Sequence, residues 1–123
     1  MISIVDDDDS VREATKRLVS SLGYATARFA SAEEFLRSER VHETSCLITD
    51  MQMPGLNGLE LQKRLAEGGH CIPIIFITAF AEDWVRMRAL EAGAYGFLKK
   101  PFEVQSLIRC LDAALKGAGR GRS

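Results

Sequence analysis

Ile2-Ser3-Ile4-Val5-Asp6-Asp7-Asp8-Asp9 is an apolar run of four residues broken by four consecutive aspartates. Behind it Val11, Ala14, Leu18 and Leu22 recur at helical spacing as far as Gly23. Residues 2–23 therefore read as a strand, an acidic turn and a helix with one core-facing stripe. Similar apolar runs follow at residues 24–28, 45–49, 73–77 and 95–98, each succeeded by a longer amphipathic stretch. The last stretch is the most regular, with Val104, Leu107, Ile108, Leu111 and Leu115 on one stripe. Most of the runs are apolar over nearly their whole length, as strands covered on both faces should be, and the more polar second one is expected at an edge. Ser31 with Glu34 makes a capping box for the second helix, and Gly23, Gly68 and Gly93 stand where the first, third and fourth helices should stop. The pattern is that of repeated βα units.

Right-handed crossovers then place helices on both faces of one parallel sheet, giving a five-stranded, doubly wound α/β domain. The flavodoxin-like strand order 2-1-3-4-5 is taken from that fold class, not from the residues. At 123 residues the chain has room for one core. The expected domain is residues 1–116. Beyond it, Gly117-Ala118-Gly119-Arg120-Gly121-Arg122-Ser123 has no apolar face and reads as a flexible tail or the start of a linker. Sixteen basic against seventeen acidic side chains leave a net charge of −1, which offers no bulk attraction to nucleic acid or to an anionic membrane. The stretch Ile72–Ala79, interrupted by Pro73, is too short to span a bilayer, and Met1 leads into a strand with no basic signal region. Cys46, Cys71 and Cys110 form no C-x-x-C pair, and His42 and His70 stand apart in polar segments. A reducing, cytoplasmic setting fits, with no zinc site.

In an open parallel sheet, ligands bind beyond the carboxyl ends of the strands. The first strand delivers Asp6 and Asp7 there, the third Asp50, the fourth Thr78, and the fifth Lys99 and Lys100 followed by Pro101. Two unit charges about 5 Å apart repel by roughly 3 kcal/mol at an effective dielectric near 20, so three converging carboxylates call for a cation. An all-oxygen donor set selects a hard ion, and Mg2+ suits it because it keeps waters and leaves room for a phosphoryl oxygen.

These same residues carry a family resemblance that covers the chain from Ile2 to Leu115. Ile4-Val5-Asp6-Asp7 with Val11-Arg12, Asp50-Met51-Gln52-Met53-Pro54-Gly55 with Gly58, Ile77-Thr78-Ala79, and Ala92-Gly93-Ala94 leading to Lys100-Pro101-Phe102 together resemble the response-regulator receiver domains of two-component signalling. The phrases from Phe29 to Phe35 and from Met53 to Leu61 look most like receivers of nitrogen-fixation-type transcription regulators. The resemblance implies that Asp50 accepts a phosphoryl group from the phosphohistidine of a sensor histidine kinase. Asp7 would bind Mg2+ directly and Asp6 largely through water, with Asp50 and the backbone carbonyl of Gln52 completing the protein ligands. Lys100 would pair with one phosphoryl oxygen and Thr78 would donate to another, while Pro101 would follow a cis peptide bond. Counting back from Val11-Arg12 puts the acidic pair at Asp6 and Asp7. Asp8 and Asp9 are then left to cap the first helix.

The resemblance also implies a switch rather than a turnover enzyme. Thr78 and Phe97 would couple phosphorylation to the face made by the fourth helix, fifth strand and fifth helix. Phe97 stands where a tyrosine is commoner, so its inward state would rest on burial alone. That face, bearing Arg86, Arg88, Lys99 and Arg109 with Glu91, Glu103 and Asp112, could join two copies in a phosphorylation-dependent homodimer. The output would be transcriptional, through a DNA-binding domain beyond Ser123, with no nucleic-acid contact by this domain. Two alternatives remain open: an aspartate-nucleophile Mg2+ phosphohydrolase using Asp6-x-Asp8, and a flavin-binding module of the same fold. The latter lacks the hydroxyl-rich phosphate loop it would need after the first strand.

Overall fold

The computed structural model describes residues 1–79 and 82–120, with side chains as far as residue 116. Five strands, β1 (Ile2–Val5), β2 (Thr26–Phe29), β3 (Cys46–Asp50), β4 (Ile74–Thr78) and β5 (Gly96–Lys99), form one parallel sheet in the order β2-β1-β3-β4-β5. The expected order and the edge position of the second strand both hold. Strands β2 to β5 each end one residue beyond the expected bound; for β2 that residue is the apolar Phe29, and for β3 to β5 it is the polar Asp50, Thr78 and Lys99. In these last three the backbone ladder continues past the last apolar side chain: Met51 N–H donates to the Ile77 carbonyl at 3.2 Å, and Lys100 N–H to the Thr78 carbonyl at 2.7 Å. Asp50 and Thr78 are thus gripped as strand residues and do not hang in loops.

Around the sheet lie α1 (Asp9–Ser21), α2 (Ala32–Arg37), a short 3-10 turn (Glu39–Glu43), α3 (Gly58–Glu67), α4 (Asp83–Glu91) and α5 (Val104–Arg120). One core layer joins Ile4, Ile48, Ile75 and Ile77 to Val19 of α1 and to Leu107 and Leu111 of α5. The other joins Val5, Leu47 and Phe76 to Phe35 of α2, Leu61 and Leu65 of α3 and Ala89 of α4. Successive strand residues alternate between these layers. That is why β1, β3 and β4 are buried along their whole length.

Several local expectations need correction. Of the expected α1 stripe Val11-Ala14-Leu18-Leu22, Val11 and Leu18 pack partly buried against the core, but the fully buried residues are Thr15 and Val19. Thr15 can be buried because its hydroxyl donates to the Val11 carbonyl at 2.8 Å. The displaced stripe flanks an open apolar groove, where Val11, Ala14 and Leu18 face Pro101 and Phe102. At the start of α2, Ser31 accepts from Glu34 N–H at 3.1 Å, but the Glu34 carboxylate takes the N–H of Ala30 instead of the cap residue's own. The complete capping box belongs to α3, between Asn57 and Glu60. Helices α1, α3 and α4 do stop at Gly23, Gly68 and Gly93 as expected, Gly68 serving as the C-cap of α3 while the neighbouring Gly69 takes the left-handed backbone. His42 and His70 do not stand apart, because their rings meet with centroids 5.3 Å apart. Helix α5 continues to Arg120, past the expected boundary at 116, and among its residues with described side chains the last buried one is Ala114. The rest of the expected tail, residues 121–123, lies outside the described residues. Among the described residues no helix is long and apolar enough to cross a membrane.

Candidate functional site

The sheet's carboxyl end gathers the residues that the sequence singles out. Asp6 follows β1 directly and is fully buried, Asp7 is exposed beside it, and Asp50 closes β3 with 7% of its surface accessible. One carboxylate oxygen from each of the three lies within 4.8 Å of the others. Lys100 reaches in from the end of β5, and its Nζ donates to Asp6 Oδ2 at 3.1 Å and to Asp50 Oδ2 at 3.2 Å. The remaining oxygens are held by backbone: Asp6 Oδ1 accepts Asp8 N–H at 2.9 Å and Asp50 Oδ1 accepts Gln52 N–H at 3.2 Å. Three carboxylates and one ammonium, −3 + 1, leave −2 at the centre. An oxygen-only cluster with that residual charge fits one hard divalent cation, with water completing the shell. Asp6, Asp7 and Asp50 are the side chains able to hold it.

The segment after β3 is shaped around Asp50. Gly58 N–H donates to the Met51 carbonyl at 2.8 Å, closing the loop, and α3 starts immediately on the backbone of the strand end. A Cβ at Gly58 would lie 2.9 Å from Met51 Cα and 3.0 Å from the Asp50 carbonyl oxygen, so only glycine permits that approach. Met51 and Met53 are buried in the core on either side of the exposed Gln52, and Gly55 takes the turn at φ +78°.

Burial raises the Asp50 carboxyl above its ordinary value; Lys100 opposes this, Asp6 adds to it, and the Gln52 amide opposes it. For Lys100, burial pulls downward, but the hydrogen bond and charge of Asp6, together with Asp50, raise it on balance. The ammonium is therefore firmly protonated and serves as a fixed cation. The Lys100–Pro101 bond is cis, as expected.

Thr78 ends β4 fully buried. Phe76 and Phe97 are cross-strand partners with ring centroids 6.3 Å apart, and Thr78 lies two residues beyond Phe76. The period of two then puts Thr78 and Phe97 on the same face of the sheet, the one covered by α4. Phe97 is half-buried against that layer's core. Helix α4 itself contributes only Ala89 to the core, and leaves Trp84 and Met87 exposed.

Asp8 is engaged as the N-cap of α1, accepting from Ser10 and Val11 N–H, which leaves the Asp6-x-Asp8 phosphohydrolase pattern without its second acid. Two residues escape the sequence reading. Arg12, used there only to set register, donates through Nη1 to the Asp6 backbone carbonyl at 2.7 Å and pairs with Asp9 through Nη2. Its position on the first turn after the aspartates was the available signal. Glu33 packs its carboxylate against Gly55 and accepts Leu56 N–H at 3.4 Å. Nothing in its spacing from Asp50 announces that contact.

Comparison with known proteins agrees with this geometry. Residues 2–112 match the family described as the response regulator receiver domain. The response regulator protein TodT of Pseudomonas putida is 42% identical over all 123 residues, which span 54% of TodT. The transcriptional regulatory protein FixJ of Azorhizobium caulinodans is 36% identical over 98% of this chain and 58% of its own length. Among solved structures, the response regulator StyR superposes with a TM-score of 0.90 at 41% identity, over 98% of this chain and 61% of that one. The chain thus spans little more than half the length of these relatives.

Proposed function

Since the chain belongs to the response-regulator receiver family, we propose that Asp50 is its phosphoryl acceptor and that the side chains around Asp50 catalyse the transfer. The observation that carries this reading is the Lys100 ammonium shared between two buried carboxylates at 3.1 and 3.2 Å. A carboxylate is a weak nucleophile, so transfer depends on alignment and on neutralising the charge on the equatorial oxygens. The Gln52 amide and the strand ladder orient the Asp50 carboxylate. Lys100 would exchange one carboxylate for a phosphoryl oxygen, and the Thr78 hydroxyl would donate to another. Asp6, Asp7, Asp50 and the Gln52 carbonyl would hold Mg2+. When bound, that ion supplies charge neutralisation between acceptor and phosphoryl oxygens.

The donor would be a cytoplasmic sensor histidine kinase, which has to dock beside Lys100. The apolar groove of about 420 Å³ between α1 and Phe102 opens there. Thr78 and Phe97 would carry the change to the α4–β5–α5 face, where a phosphorylation-dependent homodimer could form. Output would be transcriptional, through a DNA-binding domain beyond α5.

The test is intact mass after incubation with acetyl phosphate and Mg2+. One phosphoryl adduct is expected, lost in Asp50→Asn and in excess chelator. Undiminished labelling of Asp50→Asn would sink the assignment of the acceptor.

A further inference from the structure

We propose that Glu33 is a positioning residue that latches the β3–α3 loop and thereby sets the affinity of the acidic centre for Mg2+; the second half of this rests on the reading of that centre given above. Glu33 lies on the first turn of α2, far from Asp50 in sequence. Its carboxylate folds over the loop that follows Asp50, where Oε2 accepts the Leu56 N–H at 3.4 Å. The same oxygen occupies the space a side chain at residue 55 would need, since a Cβ built on Gly55 falls directly upon it. Gly55 thus meets two demands, the turn at φ +78° and the approach of this carboxylate.

The second oxygen is the telling one. Glu33 Oε1 is buried with no hydrogen-bond partner among the described residues. A buried carboxylate oxygen without a donor costs stability, because its lost hydration is not replaced. A surface glutamate on a short helix has an obvious escape, which is to swing into water. That it is packed against Gly55 and Leu56 instead points to a role for the contact.

Among the described residues, the backbone of the loop it touches is otherwise held near its two ends. Met51 and Met53 are buried, Gln52 N–H is bonded to Asp50, Gly58 N–H returns to Met51, and Asn57 caps α3. Between Met53 and Asn57, the tip Pro54-Gly55-Leu56 is held by the partly buried Leu56 side chain and by Glu33. Releasing the tip gives the segment Met51–Met53 freedom to rotate. That segment carries the Gln52 carbonyl, which the reading above assigns to Mg2+, and the Gln52 N–H that orients Asp50. Groups that orient metal ligands without touching the metal commonly govern affinity by a factor of about ten or more.

The experiment compares the wild type with Glu33→Ala and Glu33→Gln by two readouts, neither of them activity. The first is hydrogen–deuterium exchange of the peptide covering residues 52–57. The second is direct Mg2+ titration by isothermal calorimetry. In Glu33→Ala the loop peptide should exchange roughly two- to tenfold faster, with the sheet peptides unchanged. Its Mg2+ dissociation constant should rise about tenfold. Glu33→Gln keeps an acceptor for Leu56 and nearly the same volume, so it should lie close to wild type in both. Unchanged loop exchange in Glu33→Ala would overturn the latch. Faster exchange with unaltered Mg2+ affinity would overturn the positioning role, as would a Glu33→Gln variant indistinguishable from Glu33→Ala. If the wild type itself binds no Mg2+, the reading of the acidic centre fails and the positioning role with it, while the exchange result still decides whether the latch exists. If Glu33→Ala does not fold, Glu33→Asp, whose shorter side chain should lose the Leu56 contact, is judged by the same two criteria.

Discussion

Replacing Lys100 by methionine should destabilise the metal-free protein and make it more responsive to Mg2+. Methionine retains the stem that lines the groove beside Val11 and Pro101, so the substitution removes chiefly the charge. The ammonium lies 3.1 Å from Asp6 and 3.2 Å from Asp50, with side-chain exposures of 19% for Lys100 and 0% and 9% for the carboxylates. At an effective dielectric near 20 each contact is worth roughly 5 kcal/mol before desolvation. Removing one partner of a buried pair typically costs about 3 to 5 kcal/mol, and the partial exposure of Lys100 argues for the lower end. About 3 kcal/mol corresponds to a fall in Tm of about 10 °C for a domain of this size. The centre left behind carries −3 instead of −2, so Mg2+ should bind the variant about tenfold tighter, recovering roughly 1.4 kcal/mol of the loss at saturation.

The pH dependence has a definite sign. Burial raises the Asp50 carboxyl above 3.8, with Lys100 opposing. The native state then holds a proton that the unfolded chain has released between 3.8 and the raised value. Across that window stability falls as pH rises, and at neutral pH the whole cost is present. Without Lys100 the window extends upward, so the variant's deficit should shrink as the pH is lowered into it. Thermal melts followed by circular dichroism, at two pH values and over a Mg2+ series, measure all of this. A variant that melts with the wild type in chelator, or gains no more than the wild type from Mg2+, would refute the electrostatic reasoning.

Gly58→Ala should lower stability by about 2 kcal/mol despite the better helix propensity of alanine, because the added Cβ meets backbone and an aromatic ring that cannot turn away. Phosphoryl labelling should fall with it, since the clash is with Asp50 and Met51 themselves; a melt unchanged from wild type would show that the approach is not tight. Sedimentation with beryllofluoride and Mg2+, a mimic of the acyl phosphate, should reveal a weak dimer absent from the untreated protein and from Thr78→Ala. The exposed Trp84 and Met87 of α4 add apolar surface to charges that alone contribute only about 0 to 1 kcal/mol per pair. A monomer in both states at high concentration would reject dimerisation as the output.

The convergence of the site's residues was legible because a parallel sheet converts strand ends into neighbours. Asp6, Asp50 and Lys100 are 44 and 50 residues apart in turn, yet each follows or closes an apolar run, and the topology does the rest. The centre of the α1 stripe was misplaced because Thr15 counts as polar by residue type. Its hydroxyl is spent on the Val11 carbonyl, which makes it acceptable in the core and turns Val11, Ala14 and Leu18 toward the groove. The supporting contacts of Arg12 and Glu33 were out of reach for a different reason. Each acts on backbone, on the Asp6 carbonyl and the Leu56 amide, and backbone groups leave no mark in residue type.

The same geometry shows how one lysine could serve both the carboxylates and the phosphoryl group of the proposed reaction. In the structure Lys100 neutralises Asp6 and Asp50 together, which keeps two buried carboxylates compatible with folding. On the function proposed above, an incoming phosphoryl group would have to win that ammonium from the carboxylates, and a divalent cation would lower the cost of the exchange by replacing the positive charge they lose. Lys100 N–H is bonded to the Thr78 carbonyl, and Thr78 shares a sheet face with Phe97. A shift of Lys100 toward the phosphoryl group would therefore pull on the strand end whose side chain faces α4. That helix contributes a single buried residue, Ala89, so it is the layer with least packing to resist displacement.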